Sequence, residues 1–530
     1  MTALKSVSEK SYFFAALAIL LVLAIWRATI NDAITGDVAM YLQCGELLLR
    51  GQTIYVDFFD LNPPLVFFIS VIPAALARLM SLPLLLAGSV TCSAFAIVSL
   101  CVTAYILRCS IRGSAGADGL IGSASAGGPI DAACAGALLL AMATLSAFTT
   151  YDFGQREHIL VLAWLPYLLL RWARLNGVVF NRPLIALVSF LAGLMICFKP
   201  YFLLCPLFLE LVLWSRRGQA PYLFVAELAA LSAGGAAYAA ALLLMPSLAR
   251  QYLFNYLAPL LSAGYSAFDQ HAALVMFSSV WYPTLTLVAI SLIFFAIASM
   301  GKTNQFPKPL KTLAWAAFFQ IICGLILVQV QHKGWCYHGI PMMAAALILL
   351  AISFAQLTAR MQAVSRLVLA LLVTCAGVLA SSLWLAGVHT RLHAEWEVLV
   401  PQLVPRGSRV AYLDTTDTPW FVRMAAADLW PGSRYLWMFP VPIYQSLLQS
   451  GKVDQAHVDK EMTNLMQCLG EDLEKGQAPL VVVRTTGCFA LPNDFDLKAY
   501  LERYGLLAAL RHYDLVHSSE HYRFFKRLPD

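Results

Sequence analysis

Apolar segments of about 17 to 25 residues recur between residues 11 and 388, without acidic or basic residues at their centres. A helix of that length spans the hydrocarbon core of a bilayer. The first segment, 11–26, lacks a small-residue cleavage site and is predicted to be a retained signal-anchor. Of the 530 residues, 12% are charged, whereas a soluble domain is nearer a quarter charged. The sequence predicts an all-α polytopic membrane domain of about eleven transmembrane helices.

The composition changes at about residue 389, where charged residues, proline and glycine return and the apolar runs become short. Residues 409–413, 479–484 and 522–526 are typical of strands, and residues 441–448 and 458–473 are typical of helices. No nucleotide-binding glycine fingerprint or P-loop occurs there. We predict two domains, a transmembrane domain over residues 1–388 and a small soluble α/β domain over residues 389–530.

The loops between the apolar segments alternate in their content of basic residues. Short loops rich in Lys and Arg favour the cytoplasm, so these loops predict the orientation. The basic residues are Lys5, Lys10, Arg108, Arg112, Arg171, Arg174, Arg182, Arg216, Arg217, Lys302, Lys308, Lys311, Arg360 and Arg366. We predict a bacterial inner-membrane protein with a cytoplasmic N-terminus and a periplasmic C-terminal domain.

The outer face then receives nearly every residue that is suited to chemistry. Its segments are the first loop (30–82), residues 151–158, Lys199, residues 247–271, residues 331–338 and the tail. The apolar stretch 65–79 is interpreted as a re-entrant or interfacial helix, because a span there would move the basic clusters outside. Residues 113–129, rich in Gly, Ala and Ser, are predicted to be a flexible cytoplasmic loop.

The net charge of +6 is modest and spread among short loops, which disfavours nucleic acid as a partner. Most of the twelve cysteines lie in or beside apolar segments, where a small hydrophobic side chain packs well. Cys468 and Cys488 lie in the tail, and a periplasmic location would allow them to form a disulfide.

The first outer loop contains Asp37 and Tyr41, followed by Asp57 and Asp60. Apolar residues recur at helical spacing from residue 37 to residue 49, which predicts an interfacial helix that ends at Gly51. Asp37 has two interpretations. It caps this helix, or it is a general base that takes the proton from an acceptor hydroxyl near a lipid-linked sugar.

Residues 151–158 form the densest polar cluster between two spans, with Asp152, Arg156, Glu157 and His158. Such groups at the mouth of a helical bundle are costly unless they are paired or used. One interpretation is a structural salt-bridge cluster. In the other, Arg156 and His158 bind a phosphate while Asp152 or Glu157 orients the acceptor or assists Asp37. The spacing also allows a divalent cation with oxygen ligands, without fixing its geometry.

Two further outer segments carry cations. Lys199 ends the fifth predicted span, directly before Pro200. It is interpreted either as a snorkelling lysine at a helix end or as a point charge that binds a donor phosphate. Residues 331–338 contain Lys333, Trp335, Tyr337 and His338, which suit an anionic sugar phosphate because cations neutralise oxygens and aromatic rings stack on sugars. The loop with Tyr265 is predicted to cover the site.

Taken in order, these features resemble the GT-C superfamily of membrane glycosyltransferases. They are Asp37 after the first span, the segment 51–64 with its Pro63-Pro64 pair, the acidic 151–158 loop, Lys199 and the soluble tail. The resemblance covers most of residues 10–360. Within the superfamily, the chain most resembles the bacterial branch that contains the protein O-mannosyltransferase-like and lipid A aminoarabinose transferase-like enzymes.

The resemblance implies inverting transfer of a hexose or pentose from a polyprenyl-phosphate donor, in a cavity at the outer face. The acceptor would be an envelope glycan, glycolipid or protein. Asp37 would be the base, Asp152 or Glu157 its partner, and Lys199 a phosphate ligand. Many members have adjacent acids in the first motif, but Val38 follows Asp37 here, so the second carboxylate remains open between Glu46, Asp57 and the next loop.

Two other functions fit parts of the pattern. A polysaccharide polymerase or ligase with a lipid-pyrophosphate donor also needs outer cations and a base. A secondary transporter is disfavoured, because its ionisable residues should lie near the bilayer midplane in repeated, broken helices. A non-catalytic assembly protein does not need acids and cations in three separate loops.

Overall fold

The structure is a computed structural model. It describes residues 9–29, 34–112, 129–149, 152–217, 225–270, 281–300, 306–359, 361–362, 365–374, 376–377, 396–417, 420–475 and 478–528. Most of the predicted loop 113–129 lies outside these residues.

The chain is mostly helical, as predicted. Its helices up to residue 357 are α1 (Glu9–Thr29), α2 (Gly36–Leu49), α3 (Leu65–Met80), α4 (Leu84–Arg112), α5 (Ala132–Phe148), α6 (Arg156–Leu175), α7 (Arg182–Ile196), α8 (Leu204–Arg217), α9 (Ala226–Leu243), α10 (Ser247–Gln251), α11 (Ala258–Gly264), α12 (Tyr282–Met300), α13 (Lys308–Gln331) and α14 (Ile340–Leu357). Later helices are α15 (Ser365–Thr374), α16 (Trp396–Leu403), α17 (Trp420–Ala426), α18 (Pro440–Gln449), α19 (Gln455–Glu474), α20 (Leu497–Glu502) and α21 (Leu506–Ala509).

Among the described residues, seven helices are long and apolar enough to cross a membrane, and five shorter apolar helices accompany them. The protein is therefore a multi-pass membrane protein. The described residues group into two compact units, the first formed by Met1–Ala33, Ser89–Ala240 and His271–Val388, and the second by Ile34–Gly88, Ala241–Gln270 and His389–Asp530. The predicted domain boundary after residue 388 remains a prediction.

The centre of the first unit is α14, which is buried along most of its length. It packs against α5, α12 and α13, while α6 packs against α7 and α8 packs against α13. Gly324 of α13 allows the close approach to α14, because a Cβ atom there would lie 2.6 Å from Cβ of Met342. This packing fixes the ends of α6, α7, α13 and α14, which carry the first set of polar side chains.

In the second unit, α2 and α3 pair closely and are followed by the tail domain. A Cβ atom on Gly45 would lie 2.2 Å from the carbonyl oxygen of Ser70, so only glycine permits this crossing. The amide of Gln43 donates to the carbonyl oxygen of Leu429 over 3.0 Å, and α17 packs against α2. The first loop is thus built into the same unit as the tail domain.

The tail contains a five-stranded sheet in the order β2-β1-β3-β5-β4. Its strands are β1 (Arg409–Leu413), β2 (Trp430–Pro431), β3 (Leu480–Arg484), β4 (Tyr513–Ser518) and β5 (Tyr522–Arg527). β1 lies parallel to β2 and β3, and β5 lies antiparallel to β3 and β4. The predicted strands and helices of the tail are confirmed. β2 and β4 were missed, since β2 has two residues and β4 is a largely exposed edge without apolar alternation.

Three local predictions have clear outcomes. The helix predicted over residues 37–49 is α2, and residues 65–79 form the helix α3. The capping interpretation of Asp37 is wrong, because the N-cap is Thr35, whose hydroxyl accepts from the amide of Val38 over 3.4 Å. Cys468 and Cys488 are both free thiols, so the disulfide that a periplasmic tail would allow is not formed.

Candidate active site

The first unit brings four polar residues from distant segments into contact. Glu157 lies in the first turn of α6, Lys199 follows α7, Gln331 ends α13, and His338 lies in the 3-10 helix Cys336–Gly339 that precedes α14. Two of these helices begin and two end at this place, so it is one end of the bundle. We call these four residues the first-unit cluster.

Lys199 is the centre of the first-unit cluster. Its Nζ donates to Oε1 of Glu157 over 2.5 Å and to Oε1 of Gln331 over 2.9 Å, and it lies 3.1 Å from Nε2 of His338. Side-chain exposure is 11% for Lys199, 0% for Glu157 and 1% for His338. A buried lysine with a carboxylate partner is a paired charge, not a snorkelling one.

The local backbone explains how these side chains reach each other. Lys199 is extended and Pro200 opens a 3-10 helix directly after it, so α7 cannot continue. After α13, His332 has φ 52° and Gly334 has φ 66°, left-handed conformations that reverse the chain. The indole of Trp281 donates to the carbonyl oxygen of Gly334 over 3.0 Å and fixes this reversal.

Further predicted residues surround the first-unit cluster. Arg156 and Lys333 are 5% and 3% exposed, and together with Lys199 they act electrostatically on His338. The ring of Tyr337 lies 5.4 Å from Nζ of Lys199, and Trp335 stacks on Tyr337 at 5.7 Å. Three buried cations at one place favour an anionic ligand.

Asp152 and His158 have partners of their own in this unit. The thiol of Cys336 donates to Oδ2 of Asp152 over 3.4 Å. The amide of Gly154 donates to Nδ1 of His158 over 3.2 Å, and the ring of Phe153 lies 4.9 Å from that imidazole. An amide is a donor only, so Nδ1 of His158 is the acceptor and its proton lies on Nε2.

The second unit contains an acidic cluster of Asp37, Asp60 and Asp417. Asp60 is fully buried and accepts from the amide of Asn62 over 2.9 Å. Burial raises the pKa of Asp60 to about 6. The hydrogen bond from Asn62 lowers this pKa, and the nearby charge of Asp37 raises it. Burial and the Asp37 carboxylate, which is hydrogen-bonded to Asp417, hold the pKa of Asp417 well above its usual range.

Asp417 reaches Asp37 because of the sheet topology. The chain leaves β1, pairs β2 on one side, and later places β3 on the other side, so a switch point lies between β1 and β3. The loop after β1 is fixed there by Asp414, which accepts from the indole of Trp420 over 2.7 Å and from Arg484 over 3.2 Å. Asp417 lies in the segment that follows β1. The sequence around Asp417 did not indicate that it belongs to the site, because its contact with Asp37 depends on the tertiary fold.

The other first-loop acids have structural partners. Glu46 forms ion pairs with Arg50 at 2.9 Å and Arg78 at 2.7 Å, which tie α2 to α3. Oδ2 of Asp57 accepts from the amide of Thr53 over 2.7 Å. Within this unit, Asp60 and Asp417 are the carboxylates that adjoin Asp37.

The two predicted tyrosines lie in this second unit. Tyr41 is 1% exposed and packs edge-on against Phe67 with ring centroids 5.8 Å apart. Tyr265 begins a 3-10 helix and packs edge-on against Phe268 at 5.7 Å. Gln331, Cys336 and Asp417 are the polar partners that sequence reasoning did not select.

A divalent cation does not fit the described residues. Within them, no group of three or more His, Cys, Asp or Glu side chains is arranged to hold a metal ion. The carboxylates of Glu46 and Glu157 are engaged by arginine and lysine, and Asp417 is hydrogen-bonded to Asp37. No step of the chemistry below is therefore assigned to a metal.

The helical membrane bundle with its small mixed-sheet domain shares its fold with ArnT, and this agrees with the fold that the resemblance implied. The crystal structure of ArnT from Cupriavidus metallidurans bound to undecaprenyl phosphate matches with a TM-score of 0.58 at 12% identity, over 98% of both chains. The Archaeoglobus fulgidus oligosaccharyltransferase in complex with zinc and sulfate matches with a TM-score of 0.47 at 10% identity, over 97% of this chain and 73% of that one. No family model and no curated protein sequence matches the chain.

Proposed function

We propose that this protein is a membrane glycosyltransferase that moves a sugar from a polyprenyl-phosphate donor to an acceptor of the cell envelope. The observation that carries the proposal is the buried convergence of Arg156, Lys199 and Lys333 on His338 in a GT-C fold. ArnT, which shares this fold, was crystallised with undecaprenyl phosphate. The acceptor in the proposal is an envelope glycan, a glycolipid or a protein.

The cations act on the leaving group. When the bond between the anomeric carbon and the phosphate oxygen breaks, the lipid phosphate gains negative charge. Arg156, Lys199 and Lys333 stabilise that charge, and burial strengthens their effect because water does not screen them. His158 and His338 bind donor oxygens in this proposal, and Trp335 and Tyr337 pack against the sugar.

Asp37 is the general base. Its carboxylate takes the proton from the acceptor hydroxyl while the acceptor oxygen attacks the anomeric carbon on the face opposite the phosphate, so the configuration inverts. Burial and the neighbouring Asp37 carboxylate raise the pKa of Asp417, which favours its protonated form, so we assign the role of base to Asp37.

The orientation rule supports a periplasmic site. The two helix-end arginines Arg171 and Arg174 lie at the end of α6 opposite Glu157 and pair with Glu227 at 3.6 and 3.1 Å. Basic helix ends favour the cytoplasm, so the first-unit cluster faces the periplasm in this proposal. The donor then enters from the outer leaflet.

Sugar transfer by the purified protein in lipid tests the proposal. The wild type, Asp37→Asn and the matched control Asp428→Asn are given a panel of polyprenyl-phosphate and polyprenyl-diphosphate sugars with envelope extract. Asp428 is an exposed residue with φ 55°, which asparagine also adopts, so its variant should transfer normally.

We expect monophosphate-dependent transfer that Asp37→Asn reduces by about 100-fold or more, as for loss of a general base. Transfer that survives Asp37→Asn would refute the base, and transfer from diphosphates alone would favour the polymerase or ligase. Failure of every donor would refute the glycosyltransferase.

A further inference from the structure

The three hydrogens of the Lys199 ammonium group already have acceptors. They are Oε1 of Glu157, Oε1 of Gln331 and Nε2 of His338, at 2.5, 2.9 and 3.1 Å. An ammonium group has three donors and no acceptor. Lys199 therefore acts on a ligand through its charge and through the orientation that it gives to these three partners.

The contact with Lys199 determines the tautomer of His338. Because the ammonium group is a donor only, Nε2 of His338 must be the acceptor, and its proton lies on Nδ1. This Nδ1–H is buried in a side chain that is 1% exposed, and it has no hydrogen-bond partner among the described residues. His338 thus presents a neutral donor.

Glu157 has an unused hydrogen-bond acceptor, which complements the unused donor of His338. Its Oε1 accepts from Lys199, but Oε2 has no hydrogen-bond partner within the described part of the chain, although the side chain is 0% exposed. An unsatisfied buried carboxylate oxygen is costly, so it calls for a donor from a ligand. A phosphate oxygen cannot serve, because it is itself an acceptor.

We propose that the first-unit cluster recognises a glycosyl phosphate that carries a hydroxyl group on C2, next to the anomeric carbon. Oε2 of Glu157 accepts from this hydroxyl, and Nδ1–H of His338 donates to a phosphate oxygen. This inference rests on the proposed function and adds the class of sugar. We assign this hydroxyl to C2 because, of the sugar hydroxyl groups that can donate a hydrogen bond, the one on C2 lies closest to the phosphate. Glu157 directly contacts Lys199, whose charge acts on the phosphate in this proposal.

Binding of defined lipids to the full-length protein tests this inference. The probes are polyprenyl phosphate without a sugar, polyprenyl-phosphate glucose and its 2-deoxy-2-fluoro analogue. Fluorine has nearly the size of a hydroxyl group but donates no hydrogen bond. A hydrogen bond to a charged group predicts that the wild type binds the hydroxyl form about tenfold to a hundredfold more tightly than the fluoro form.

Glu157→Gln replaces the free acceptor oxygen by an amide that can donate, and its other oxygen can still accept from Lys199. The preference for hydroxyl over fluorine should fall to about threefold or less, while sugar-free polyprenyl phosphate still binds. Glu157→Asp, which withdraws the carboxylate by one methylene group, should lower the preference as well. The exposed Glu520→Gln is the matched control and should keep it.

The outcomes separate the two proposals. Equal affinity of the wild type for the hydroxyl and fluoro forms overturns the C2 inference but leaves the donor class intact. A preference that persists unchanged in both Glu157 variants overturns the assignment to Glu157. If the wild type binds none of the three lipids, the polyprenyl-phosphate function itself fails.

Discussion

Lys199→Met tests whether charge holds the first-unit cluster together. Methionine has nearly the length of lysine but no charge, so Glu157 would remain fully buried without its cation. Lys199 is only 11% exposed, and solvent therefore screens the pair weakly. Gln331 and His338 would lose the same donor.

Removal of one partner from a buried ion pair costs about 3–5 kcal/mol, because the remaining charge is uncompensated. We expect the free energy of unfolding of Lys199→Met to fall by about that amount. The double variant Lys199→Met with Glu157→Gln should recover more than half of the loss, because a neutral amide needs no counter-ion.

Unfolding in mixed detergent micelles, followed by tryptophan fluorescence, measures these differences. Lys311→Met is the matched control, because Lys311 is an exposed lysine in the first turn of α13 and should change the stability by about 0.5 kcal/mol or less. A Lys199→Met variant as stable as this control would refute the reasoning. So would a double variant that is less stable than the single one, since the carboxylate would then not be the source of the cost.

Two further predictions concern the second unit. The pKa of Asp60 is raised from 3.8 to about 6 on folding, so the folded protein binds a proton more tightly than the unfolded chain. The contribution of Asp60 to the free energy of unfolding therefore falls as pH rises from 3.8 to about 6, by about 1.4 kcal/mol per pH unit. Asp60→Asn should remove this part of the dependence in unfolding measured between pH 4 and 6, and an unchanged slope would contradict the assignment. Because Cys468 and Cys488 are free, a thiol reductant should leave the melting temperature unchanged, and a drop of several degrees would indicate a disulfide.

Local pattern was enough to predict most of the helices and strands of this protein, but not β2 and β4. The apolar segments predicted the membrane helices because a span needs a long run of apolar residues, whatever the rest of the chain does. Helical spacing predicted α2, a short apolar run predicted β1, and a run of valines predicted β3. The orientation rule placed residues 151–158, Lys199 and residues 331–338 on one face, and their side chains do meet there.

The partners of these side chains were decided by packing over long separations. Lys199 lies 42 residues from Glu157 and 139 residues from His338, and no local periodicity relates such positions. Asp417 reaches Asp37 only because β1 ends at the switch point of the tail sheet and that sheet shares a compact unit with the first loop. The sequence therefore determined which residues are polar in an otherwise apolar chain. Removal of such a side chain from water costs free energy at any position, so each of these residues stands out without knowledge of the fold. The tertiary structure decided which of them form hydrogen bonds and ion pairs with each other, because these depend on distances of a few ångströms between segments that are far apart in the sequence.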